Sequence, residues 1–177
     1  MSHSGRGLTV QSEADLSSSF STFSESTVEL LGLSGDGAYE VIGCELASAA
    51  GDGIRIDDID RNNVPDGGSA RVTVRDTVVR RVASWGIRAY QDHRDARVVL
   101  DHVSAWRNTA GGLLIHRLSP ESEIRITSSL VAENGQGIYL SAGLLPVLSH
   151  NDVWSNDGGR DWRGVDRGDG SISLNPL

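Results

Sequence analysis

Apolar and polar residues alternate along this chain in short runs that come back at a fixed distance. Arg71 to Tyr90, RVTVRDTVVRRVASWGIRAY, aligns without a gap on Arg97 to His116, RVVLDHVSAWRNTAGGLLIH, at an offset of 26 residues. Val72, Val74, Gly86, Ile87 and Ala89 fall on Val98, Leu100, Gly112, Leu113 and Ile115. A third copy, EIRITSSLVAENGQGIYLS from Glu123, keeps the offset through Asn134 and is then one residue shorter. An earlier copy starts at Tyr39, YEVIGCELASAAGDGIRID, and is followed by the insertion DIDRNNVPDGG; a looser last copy is LLPVLSHNDVWSNDGG. Each copy predicts three short strands: a VxV-type pair, a second strand such as Thr77 to Val79, and a GIxx strand such as Gly86 to Tyr90. Strands this short cannot hold a sheet within one copy. Stacking the copies so that equivalent strands pair in parallel buries the apolar positions in columns. The expectation is an all-β, single-stranded right-handed parallel β-helix, a solenoid of three parallel sheets with about five to six coils. A β-sandwich is the rival, but hairpin turns do not account for a gap-free 26-residue register.

Asn108, Asn134 and Asn156 occupy equivalent positions, with Val82 in the preceding copy. Stacked asparagines can bond along the solenoid and to turn backbone, so this column is read as structural. The chain thus divides into an irregular first coil or N-terminal cap (1–38), coils (39–162) and a C-terminal tail or partial cap (163–177). In the first segment Leu8 to Val10, Leu16 to Phe20 and Val28 to Leu31 are strand candidates, and SSSFSTFSES is a candidate polar cap. Poorly capped ends favour a homodimer formed through one coil end.

On these repeats, over roughly 39–160, the chain resembles the right-handed parallel β-helix proteins of the pectate-lyase-like superfamily, which includes polysaccharide lyases, glycoside hydrolases and alginate epimerases. The closing run SHNDVWSNDGG, followed by GDGSISLNPL, looks like a terminal coil of that group, and by the resemblance the chain would continue beyond Leu177. The resemblance implies that the GIxx face is where such enzymes often work.

Composition narrows the partners. Among 177 residues the apolar fraction is 38%, low for a compact globule but suited to strands that bury one side only. Net charge is −8 and all 16 basic residues are Arg, which disfavours nucleic acid and anionic membranes as partners. The single cysteine, Cys44, lies in an apolar stretch and reads as a small core residue. MSHSGRGLTV lacks the apolar run of a signal peptide and no stretch is long enough to span a bilayer, so a cytoplasmic location is expected, with a secreted or surface-associated one if the chain is a fragment.

In the GIxx strands the residues beside the inward ones face out. Arg55, Arg88, Leu114 and Tyr139 form one exposed column; Asp57, Tyr90, His116 and Ser141 form the next, one coil being about 4.8 Å from another. Such a face suits an acidic polysaccharide: sugar rings stack on Tyr139 or Tyr90, and Arg55 or Arg88 binds a carboxylate bidentately. Asp57 and Trp85 complete the candidate binding set. For β-elimination or C5 epimerisation of a uronate, His116 would be the base, Tyr90 the acid and Arg88 the charge stabiliser. An exposed strand face on any acidic protein also carries Arg, Asp and Tyr, which leaves a non-catalytic structural or protein-interaction module as the alternative. The stretch YQDHRD departs from the DPH motif of alginate epimerases. No resident cofactor or metal is expected. IDDID, with Asp57, Asp58 and Asp60, offers oxygen ligands for Ca²⁺ but lacks the spacing of a calcium loop. Asp101 with His102, and His150 with Asp152, fall at turns without metal-ligand spacing. Trp85, Trp106, Trp154 and Trp162 do not align in one column, which argues against a tryptophan ladder. No phosphate loop, nucleophile elbow or dinucleotide fingerprint is present, and the glycine pair in LSGDGAY reads as a turn.

Overall fold

The computed structural model describes residues 8–11, 16–19, 22–24, 30–34, 37–57, 71–90, 96–116, 122–141 and 146–174. Strands β1 (Leu8–Gln11), β2 (Leu16–Ser19), β3 (Thr22–Ser24) and β4 (Leu31–Ser34) precede four regular coils. These are β5 (Ala38–Ile42), β6 (Glu45–Ala47) and β7 (Ile54–Asp57); β8 (Arg71–Arg75), β9 (Val78–Arg80) and β10 (Trp85–Tyr90); β11 (Arg97–Asp101), β12 (Ser104–Trp106) and β13 (Gly111–His116); and β14 (Glu123–Thr127), β15 (Leu130–Ala132) and β16 (Ile138–Leu140). Strands β17 (Val147–Ser149), β18 (Asp152–Trp154) and β19 (Trp162–Arg163) follow.

Every pairing between these strands is parallel. Sheet A runs β1-β4-β7-β10-β13-β16-β19, sheet B β17-β14-β11-β8-β5-β2, and sheet C β18-β15-β12-β9-β6-β3. The chain is therefore a β-solenoid, and the sandwich alternative falls. The register is the one the repeat demands: Val72 pairs with Val98, Val74 with Leu100, Ile87 with Leu113 and Ala89 with Ile115. The regular coils number about four rather than five to six. At the C-terminal end β17 has three residues where the regular sheet B strands have five, and β19 has two, too few to repeat the full pattern.

Inward columns are aliphatic from coil to coil, for example Leu31-Ile54-Ile87-Leu113-Ile138 in sheet A and Val41-Val74-Leu100-Ile126 in sheet B, all essentially inaccessible. Burial of each such side chain contributes on the order of 1.5–3 kcal/mol. Tyr39 is a fully buried aromatic between Leu16 and Val72 in its column, and Cys44 is buried as expected of a small core residue.

The corners explain why strand ends fall where they do. Between sheets B and C each coil turns on two residues. The first is left-handed: Gly43 (φ 64°), Asp76 (49°), His102 (52°), Ser128 (51°) and His150 (55°). The second points inward and is buried: Cys44, Thr77, Val103, Ser129 and Asn151. Thr77 thus belongs to a corner, and the second strand of its coil starts one residue later than the pattern suggests. Backbone amides at this corner are satisfied by the next coil's side chain: Cys44 N–H donates to Thr77 Oγ1 (3.3 Å), Val103 N–H to Ser129 Oγ (3.1 Å) and Ser129 N–H to Asn151 Oδ1 (3.0 Å).

Between sheets C and A the asparagine column does the same. A left-handed residue, Arg81 (φ 56°), Arg107 (55°), Glu133 (55°) or Ser155 (54°), precedes Val82, Asn108, Asn134 or Asn156. Val82 N–H donates to Asn108 Oδ1 (3.2 Å), Asn108 N–H to Asn134 Oδ1 (2.9 Å) and Asn134 N–H to Asn156 Oδ1 (3.0 Å). Each Nδ2 donates in turn to a strand carbonyl of the preceding coil: Asn108 to Val79, Asn134 to Ala105 and Asn156 to Val131.

A candidate binding face on sheet A

The inward-outward alternation of β7, β10, β13 and β16 fixes which residues this face presents. Ile87 and Ala89 are buried, so Arg88 and Tyr90 between and after them face out. Register then places Arg55, Arg88, Leu114 and Tyr139 in one column, extended by Gly32 at one end and Arg163 at the other. It places Asp57, Tyr90 and His116 in the next. Residues separated by 33 and 26 positions in sequence thus become neighbours. The Asp57 side chain lies outside the described residues, as do Asp58 and Asp60; only the backbone of Asp57 enters the register.

Tyr90 and His116 stack face to face, ring centroids 5.6 Å apart and planes 11° from parallel. Trp85 stands opposite Gly111 in the register, and its indole lies across that residue, so that a Cβ at position 111 would clash with the six-membered ring. Beyond it, the Tyr139 ring lies 6.5 Å from Trp85 at a tilt of 42°. The Arg163 guanidinium covers Tyr139 from the other side at 4.5 Å, and its Nη1 donates to Gln136 Oε1 (3.3 Å).

Asp52 organises one edge of the face, and sequence reasoning missed it. Its buried carboxylate accepts the Trp85 backbone N–H at Oδ1 (3.1 Å), while Oδ2 sits 3.7 Å from Arg88 Nη1. The available signal was its position: an acidic residue directly before the buried glycine of a GIxx strand. Gly111 was missed as well, although GGLLIH carries one glycine more than its sister copies. Gly111→Ala is expected to lift Trp85 off the strand. The near-UV circular dichroism of the Trp85–Tyr139 pair should diminish, while stability falls by less than about 1 kcal/mol because a surface ring yields rather than backbone. Unchanged near-UV ellipticity would show that the indole does not depend on that gap.

Candidates elsewhere resolve differently. His102 and His150 are left-handed corner residues, and His102 Nδ1 lies 3.2 Å from Asp101 Oδ1. The Asp101 carboxyl is held below its usual range first by the hydroxyl of Thr127, which donates to it at 2.7 Å, with smaller contributions from His102 and Arg75. Among the described residues no group of three or more His, Cys, Asp or Glu side chains is arranged to hold a metal. The four tryptophans do not form one column: Trp106 and Trp154 flank Ala132 on the outer side of sheet C, whereas Trp85 and Trp162 belong to sheet A. Guanidinium groups lie over Trp106, from Arg107 at 4.3 Å and Arg81 at 5.9 Å, and Trp162 packs against the core. No helix among the described residues is long and apolar enough to cross a membrane. Comparison with known protein families, with curated proteins and with solved structures finds no match to this chain.

Proposed function

We propose that the outer face of sheet A binds an acidic polysaccharide, in keeping with the likeness of its repeats to the pectate-lyase-like superfamily. One observation carries the reading: the Trp85 indole is spread over Gly111 on an exposed sheet, with the Tyr139 ring beside it at a tilt of 42°. Pyranose rings stack on aromatic side chains through their C–H faces, and Arg55 and Arg88 in the column of Tyr139 bring positive charge to an otherwise acidic protein. Gly111→Ala should therefore weaken glycan binding along with the aromatic signal.

Should the bound uronate be cleaved, β-elimination is the reaction this set of groups would perform. A neutral His116 would take the proton beside the carboxylate, Arg88 would stabilise the enolate-like charge, and Tyr90 would protonate the departing glycosidic oxygen. A second reading, a non-catalytic module that self-associates through a coil end, draws on a specific observation: Tyr90 and His116 are stacked on one another and Arg88 is paired with Asp52. Glycan-array binding followed by absorbance of unsaturated uronate products separates the two. Retention on alginate or pectin with product formation, lost in both His116→Ala and Tyr90→Ala, is the expected result for the lyase. Retention without product leaves a binding protein. Absence of retention, with a sedimentation coefficient that rises with concentration, supports the module.

A further inference from the structure

We infer that Arg163 is the residue that selects a carboxylate on this face, an inference that rests on the glycan-binding reading of sheet A. Three arginines stand in the outer column. Arg88 already has a carboxylate beside it, the buried Asp52. Arg55 adjoins Arg88 in register, so a ligand carboxylate at either enters a site whose charge Asp52 partly cancels. Arg163 differs. Among the described residues no carboxylate pairs with it, and its guanidinium is fixed in place by two neutral groups. Its central carbon lies over the Tyr139 ring, 4.5 Å from the centroid, and Gln136 Oε1 takes one Nη1 hydrogen at 3.3 Å. That leaves the Nε–Nη2 edge, which has the fork geometry that grips a carboxylate through two parallel bonds. These two contacts reduce the ordering still required on binding. The register places the fork beyond Tyr139, three coils along the column from Arg88, so that one uronate of a bound chain meets Arg163 while Arg88 is left to another.

Isothermal titration with a tetrameric oligouronate and with its carboxyl-reduced, neutral counterpart tests this. Arg163→Gln is expected to lower affinity for the oligouronate about tenfold or more. Its affinity for the neutral sugar should not change. Unchanged oligouronate affinity in Arg163→Gln overturns the inference, as does an equal loss on both ligands, since either outcome denies carboxylate selection to this side chain. Wild-type protein that binds neither sugar removes the glycan reading itself, a result distinct from the other two. Arg163 is exposed on the last strand, and a far-UV spectrum identical to wild type confirms that the variant folds.

Discussion

Asn134→Ala is expected to destabilise the protein by about 3 kcal/mol or more, measured as a shift of the urea midpoint. Asn134 is buried and serves two neighbours: its Oδ1 accepts the Asn108 N–H at 2.9 Å and its Nδ2 donates to the Ala105 carbonyl at 3.0 Å. Alanine strips both at once. Each buried backbone group left unpaired costs about 1–3 kcal/mol, because neither can return to water while the coil stays closed. The Nδ2 also bonds Asn156 Oδ1, so the effect reaches the next coil. A solenoid is stabilised by contacts between successive coils, and the coils beyond Asn134 are short; loss of cooperativity, read as a lowered m value, is the expected accompaniment. A cost below about 1 kcal/mol would mean that water enters the corner and replaces the amide.

Gly86→Ala is expected to cost about 2–3 kcal/mol by the same measurement. A Cβ there would lie 2.7 Å from both Asn108 Nδ2 and the Gly112 carbonyl oxygen. The carbonyl belongs to the paired backbone of the next coil and cannot retreat without breaking register, so the added methyl overpacks a closed corner. Gly53, Gly112 and Gly137 repeat the arrangement, each with a carbonyl of the following coil beneath it, which is why the GIxx strands begin on glycine. Because half of the clash is with the Asn108 amide, Gly86→Ala and Asn108→Ala should be non-additive, with a coupling of about 1 kcal/mol. Strict additivity would mean that the backbone contact alone sets the penalty.

The solenoid and its register were legible because its strongest constraint is periodic. Val72 above Val98, or Ile87 above Leu113, states the same requirement in successive coils, and a gap-free offset exposes it. The asparagine corner was legible for a related reason, since three identical residues mark it. The other polar corner escaped notice although it does the same work, because Cys44, Thr77, Val103, Ser129 and Asn151 share only a position and no chemical type. The left-handed residue ahead of each is equally varied; Asp, His and Ser tolerate that conformation at a cost of about 1–2 kcal/mol that the closed corner sustains. On sheet A, register placed Tyr90 beside His116 and Arg88 in line with Tyr139, but side-chain direction lies beyond what a repeat encodes. Whether Trp85 stands up or lies down depends on the missing Cβ of Gly111, and whether Arg88 is available depends on Asp52 at a neighbouring corner. Trp106 and Trp154 share a sheet C column only as a pair separated by Ala132, so the four tryptophans make no ladder, as their spacing implied.

Coil length varies most at one corner, and less between sheets C and A, where the passage takes from four to seven residues. Two residues separate the sheet B strand from the sheet C strand in each coil from β5 to β18, whereas the passage from sheet A to sheet B takes 13 residues after β7 and six after β10, β13 and β16. Two corners are closed by buried bonds from coil to coil; the third is where sequence can be added without disturbing the stack. That seam opens directly beside Tyr90 and His116, the last residues of β10 and β13. The solenoid is therefore built as a display frame, in which a peptide grafted between Tyr90 and Arg97 would alter what approaches the face while the coils beneath keep their register.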